Sequence, residues 1–152
     1  MRAILQRVKK ASVVVDEEVV GAIGQGILAL VAAEHSDTLR DVQVVADKMA
    51  GLRMFSDPEG KMNLNVSQVG GAFLVVSQFT LAGSLRKGRR PSFDGSAPPA
   101  KAEPLIEELM GDLEGRGFVV AGGRFGADMQ VSLINDGPVT FVLDVREGKV
   151  QR

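Results

Sequence analysis

Residues 27–33 read Ile-Leu-Ala-Leu-Val-Ala-Ala without a polar interruption, and no other stretch of the chain restricts the fold as much. An apolar run this short and this continuous is consistent with a strand covered on both faces. It falls far below the roughly 20 residues that span a bilayer. Shorter β-rich runs surround it, separated by turn signals. Residues 3–8, 11–15 and 19–23 predict strands joined by tight charged turns, and residues 72–78 predict another after Gly70-Gly71. Residues 118–121, 129–134 and 139–145 predict three closing strands.

Two segments carry helical spacing instead. Leu39, Val42, Val45, Ala46, Met49 and Leu52 recur at steps of three and four, so a helix is expected over about 37–51, with Ser36 as its N-cap. Leu105, Ile106, Leu109, Met110 and Leu113 predict a second over about 99–115; Pro104 in its first turns leaves room for a later start. Asp57-Pro58-Glu59-Gly60 is a turn, linking the 52–55 segment to a short strand near 62–64. Residues 82–99, rich in Gly, Pro, Ser and basic residues, form a long loop of the kind that is functional or mobile. With 152 residues, 45% of them hydrophobic and 24% charged, the chain has material for one core. The expectation is a single α/β domain over residues 1–152, with eight or nine strands and two helices.

The residue inventory narrows the chemistry. There is no cysteine, which removes disulfides and thiolate nucleophiles and suits a reducing cytoplasm. The N-terminal segment is too short and too interrupted for a signal peptide, so a cytoplasmic location is expected. One histidine, His35, cannot build a three-histidine zinc site, and no Gly-x-Ser-x-Gly elbow or phosphate-binding glycine motif is present. No metal and no cofactor is expected. The 18 basic and 19 acidic residues balance, so any nucleic-acid contact must come from local clusters. With no Trp, no Tyr and seven Phe, platforms for base stacking are poorly supplied. An enzyme of this composition must work with backbone dipoles, hydroxyls, carboxylates or the substrate's own groups.

Three local features stand out. Ser77-Gln78-Phe79-Thr80-Leu81 leaves the end of a strand and enters the long loop, where freed backbone N–H groups can stabilise an oxyanion. The same residues also fit a strand that merely ends. Arg86, Lys87, Arg89 and Arg90 place four cations in five positions of that loop, either solvated or in contact with phosphates. Ser92-Phe93, after Pro91, is expected to anchor the loop to the body. Asn135-Asp136-Gly137-Pro138 separates two β segments and is by composition a hairpin or tight turn; its Gly–Pro bond can be cis.

Taken in order, these blocks resemble the D-aminoacyl-tRNA deacylase family over essentially the full length. The match runs through Met1-Arg2-Ala3-Ile4-Leu5-Gln6-Arg7-Val8, Gly60-Lys61-Met62-Asn63 and Ser77 to Leu81. It continues through Lys87-Gly88-Arg89-Arg90-Pro91-Ser92-Phe93, Phe125-Gly126-Ala127-Asp128-Met129 and Asn135-Asp136-Gly137-Pro138-Val139-Thr140. Ala82-Gly83 departs from it, since many relatives carry an aromatic residue and then alanine there.

The resemblance implies a strongly curved, barrel-like sheet with two main helices, and a homodimer whose active sites lie at the subunit interface. The implied substrate is the acceptor end of aminoacyl-tRNA: D-aminoacyl esters and glycyl esters are cleaved, L-aminoacyl esters rejected. Ser77, Gln78, Phe79 and Thr80 are implied to line the reacting centre. Gly137-Pro138, cis and oriented by Arg7, is implied to enter the partner's pocket as a chirality filter. Asn135, Phe125 and Met129 complete the substrate-binding set, with Arg86, Lys87, Arg89 and Arg90 on tRNA. Two alternatives from other classes are a non-catalytic tRNA- or protein-binding module and a general esterase using Thr80 or Ser77.

Overall fold

The computed structural model describes all residues, 1–152. Its spine is β1 (Arg2–Val15), a single 14-residue strand where the sequence predicted two. Lys9 and Lys10 do not turn the chain; they are exposed in mid-strand, where the register against a neighbour shifts. The true turn is Asp16-Glu17, both at positive φ, which leads into β2 (Glu18–Ile23). The apolar run forms β3 (Gly26–Ala32), flanked by β1 on one side and, in parallel, by β6 (Ala72–Ser77) on the other. As expected of a strand covered on both faces, Ile27, Leu28, Ala29 and Val31 are all buried.

Between β3 and β6 the chain forms α1 (Leu39–Gly51) and a small hairpin of β4 (Phe55–Ser56) and β5 (Met62–Leu64). α1 starts two residues later than predicted, and its N-cap is Thr38, not Ser36. The Asp41 carboxylate accepts from the Thr38 N–H at 2.9 Å and the Thr38 hydroxyl at 3.2 Å, which draws the cap to Thr38. α2 (Pro99–Gly115) begins at the predicted residue with Pro104 inside it, and leads to β7 (Val120–Gly122), parallel to β6. Both helices pack on one face of the sheet around Phe55, Phe73, Leu109 and Leu113.

The last long element corrects the sequence most. β8 (Gln130–Arg146) runs as one 17-residue strand along the full length of β1, and β9 (Lys149–Val150) folds back on its end. Asn135-Asp136-Gly137-Pro138 is therefore no hairpin. It belongs to a bulge pushed out of a continuous strand.

The sheet order is β7-β6-β3-β1-β8-β9, with β2 paired to β1 beyond the end of β3. Because β1 has β3 along residues 2–8 and β2 along residues 11–15, the sheet curls and carries β2 back over β7. Gly21 of β2 meets Gly122 of β7 so closely that a Cβ at Gly21 would lie 2.1 Å from the Gly122 carbonyl oxygen. Val8, Val13, Ile23, Leu28, Leu74 and Val76 fill the space inside the curl. The sheet is thus strongly curved and barrel-like, although no ladder of hydrogen bonds closes it.

Candidate active site at the end of the parallel strands

Where β6 stops, its ladder partner Val31 makes one more bond, accepting the Gln78 N–H at 2.8 Å. The chain then turns through a single 3₁₀ turn, Phe79–Ala82. This turn leaves the backbone N–H groups of Phe79 and Thr80 without an acceptor in the protein, side by side at a strand end. Arg2 steadies the far side of the turn: it donates to the Leu81 carbonyl at 3.1 Å while pairing with Asp144 of β8 at 3.1 Å.

A pocket of about 470 Å³ opens beside this turn, a volume suited to a small ligand. Ser77, Gln78 and Phe79 form one wall, Phe125 and Met129 another, and Ala97 with the start of α2 a third; nine of its 14 lining residues are hydrophobic. A second cavity of about 340 Å³ shares Ser77, Phe125 and Met129 and adds Glu103, Glu107 and Arg124. Phe125 and Met129 thus stand as a partition between two spaces. Ala33, Ala97, Pro99 and Ala102 were not singled out in the sequence. They are small apolar residues with no chemical signature, placed here by the crossing of β3 and α2.

Thr80 lies outside that lining and is exposed. Its hydroxyl oxygen accepts from the Gln78 amide at 2.5 Å. An amide donor holds a hydroxyl in place but cannot take its proton. His35 is exposed in the turn before α1, bound only through its backbone, and supplies no base to the pocket.

Asn135, Gly137, Pro138 and Arg7 are gathered elsewhere. Opposite the single residue Arg7, between the pairs Gln6–Thr140 and Val8–Asn135, β8 fits four residues, 136–139. Each side of this bulge is tied. Asn135 Oδ1 accepts the Val139 N–H at 2.9 Å, and Asn135 Nδ2 donates to the Thr140 hydroxyl at 3.0 Å. Arg7, 9% exposed, donates from Nε to the Asp136 carbonyl and from Nη1 to the Met54 carbonyl, each at 2.8 Å.

Gly137 and Pro138 form the exposed crest, joined by a cis bond. Gly137 has φ +148, and a Cβ there would lie 2.6 Å from a Val139 methyl and 3.2 Å from Arg7 Nη2, so only glycine fits. None of these residues lines the pocket of its own chain. The structure therefore brings together Ser77, Gln78, Phe79, Phe125 and Met129, and sets the Gly-Pro crest apart from them.

The basic loop is a ribbon closed at its base by mutual Ser84–Ser92 backbone bonds of 2.7 and 3.0 Å. At its tip Arg86, Lys87, Arg89 and Arg90 are all exposed and none forms an ion pair. No group of His, Cys, Asp or Glu is arranged to hold a metal ion, and no helix is long and apolar enough to cross a membrane.

Comparison with known proteins bears on the whole of this arrangement. A family model described as D-Tyr-tRNA(Tyr) deacylase matches residues 4–144. A D-aminoacyl-tRNA deacylase of Chloroflexus aurantiacus is 57% identical over 152 residues, covering 100% of this chain and 95% of that protein. One from Geobacter sulfurreducens is 54% identical over 146 residues, covering 96% of each. Among solved structures, one described as c-Myc DNA Unwinding Element Binding Protein superposes with a TM-score of 0.90 at 37% identity, covering 96% of this chain and 99% of that one. Another, described as a probable eukaryotic D-amino acid tRNA deacylase, gives 0.81 at 18% identity over 95% and 98% of the two chains, a likeness of fold.

Proposed function

The chain belongs to the D-Tyr-tRNA(Tyr) deacylase family, and from that premise we propose that it hydrolyses the ester of D-aminoacyl-tRNA, and of mischarged glycyl-tRNA, to free amino acid and tRNA. The observation that carries the chemistry is the pair of free N–H groups at Phe79 and Thr80, beside a largely apolar pocket. Ester hydrolysis needs an attacking water and a donor pair for the tetrahedral oxyanion, and preorganised backbone donors are among the strongest ways to stabilise one. The water is positioned by the neighbouring 2′-hydroxyl of the terminal ribose. Thr80 acting as nucleophile is the weaker alternative, since its only side-chain partner is an amide donor.

Discrimination follows from the crest. Gly137 and Pro138 of one subunit enter the pocket of the other, carbonyls foremost, where an L side chain would have to lie. A D side chain points away, and glycine has none to exclude. Two features support this placement: the crest is exposed and tied down on its own chain, and β8 on either side of it carries exposed apolar side chains. Leu133, Ile134, Phe141 and Val142 are 36–46% exposed there. A homodimer covers that surface and completes each site. Asn135, its side chain already committed to the bulge, positions the crest instead of touching substrate. Arg86, Lys87, Arg89 and Arg90 meet acceptor-end phosphates, and the enzyme acts in the cytoplasm on charged tRNA.

The test is deacylation of D-tyrosyl-tRNA and L-tyrosyl-tRNA by the purified protein, with a third substrate ending in 2′-deoxyadenosine. Rapid loss of the D ester, persistence of the L ester and very slow turnover of the deoxy substrate are expected. Equal rates on D and L would discard the proposal; normal turnover of the deoxy substrate would discard the RNA-assisted step.

A further inference from the structure

Phe79 lines the pocket and also meets Phe93, which lies outside it. The two rings stand edge to face, centroids 5.2 Å apart and planes at 63°, and they remain 54% and 38% exposed. Exposed aromatic pairs are costly to leave in water, and this one sits at the root of the loop that carries Arg86, Lys87, Arg89 and Arg90. Stacking surface next to unpaired cations is the combination that single-stranded nucleic acid recognises, because every base has a π-face and every linkage a phosphate.

Phe93 is also held ready. The Ser92 hydroxyl donates to the Asp94 carboxylate at 2.8 Å, and the Phe93 carbonyl accepts the Ser96 N–H at 2.9 Å. Gly83 lies against the ring: a Cβ there would stand 2.9 Å from both Phe93 Cε1 and the Thr80 carbonyl oxygen.

We propose that the Phe79–Phe93 corner is a stacking site for an unpaired base just upstream of the terminal adenosine of the tRNA acceptor end, with the loop cations on its phosphates. The proposal rests on the deacylase function stated above and adds a substrate contact outside the reacting pocket. Phe93 belongs to neither cavity wall, so its contribution should be felt only by substrates long enough to reach it.

The measurement is steady-state kinetics of the full-length protein on two substrates, D-aminoacyl-tRNA and 3′-O-(D-aminoacyl)adenosine, which has no upstream nucleotide. Phe93→Ala is expected to raise KM for the tRNA about tenfold with kcat held, and to leave the adenosine ester's kcat/KM within about twofold. Phe93→Trp should restore the tRNA KM. An equal loss on both substrates makes Phe93 a structural support, and no change on either removes the site; both overturn the proposal. If the wild-type protein cleaves neither substrate with D preference, the deacylase function itself fails, a result visible before any variant is compared.

Discussion

At the scale of single residues, the polar side chains around the Gly137-Pro138 crest are taken up in holding backbone. Arg7 spends its guanidinium on two carbonyls, of Met54 and Asp136, and so bolts the β8 bulge to the body of the protein. Asn135 closes the bulge from inside. Of the two hydroxyls the sequence advances as nucleophiles, Ser77 and Thr80, the one in the turn is Thr80, and its neighbour is a donor. Thr80→Ala is accordingly expected to retain deacylation within about tenfold. A loss nearer 10⁴-fold in single-turnover kinetics, with an unchanged circular dichroism spectrum, would assign it a chemical role.

At the scale of elements, the start of α1 shows how one buried carboxylate joins distant parts of the chain. Asp41 is 1% exposed, and burial alone would push its carboxyl up. The Gly148 N–H at 2.8 Å, with the Thr38 N–H and hydroxyl, outweighs burial and holds it below the ordinary aspartate value of 3.8. A carboxyl lowered on folding stabilises the native state above its unfolded pKa, and that stabilisation is lost as pH falls through the folded pKa. Urea midpoints should therefore fall as pH drops below about 4. Asp41→Asn, which replaces an acceptor oxygen facing Gly148 or Thr38 with a donor, should cost about 1–3 kcal/mol at pH 7 and flatten that acid limb. A variant as stable as wild type would show that the link between α1 and the β8–β9 turn is dispensable.

At the scale of the whole molecule, β8 leaves Leu133, Ile134, Phe141 and Val142 exposed on either side of an exposed crest, and the proposed homodimer would cover them. Sedimentation equilibrium should give twice the 16.1 kDa of the chain. Phe141→Asp or Ile134→Asp should yield folded monomers that no longer distinguish D from L esters. A monomer with full discrimination at micromolar concentration would refute the shared site.

What the sequence determined by itself was periodic or local. The apolar run at 27–33, the two helical stripes and the Asp57–Gly60 turn specify their elements through patterns of a few residues, and the structure follows them within one or two positions. The signature blocks, matched residue by residue, carried the family. What only tertiary structure decided was whether a local interruption ends an element. Lys9-Lys10 and Asn135-Asp136-Gly137-Pro138 both read as turns, since charge and glycine-proline sequences leave a strand when nothing opposes them. Here β1 and β8 oppose each other over their whole length, and the ladder on either side of each interruption outweighs the local preference. The interruption survives as a bulge, tied by an arginine 129 positions from Asp136 and by an asparagine at its base. The pocket walls at Ala33, Ala97 and Ala102 were beyond sequence reading for the same reason: apolar residues declare burial, and only the crossing of strands and helices declares against what.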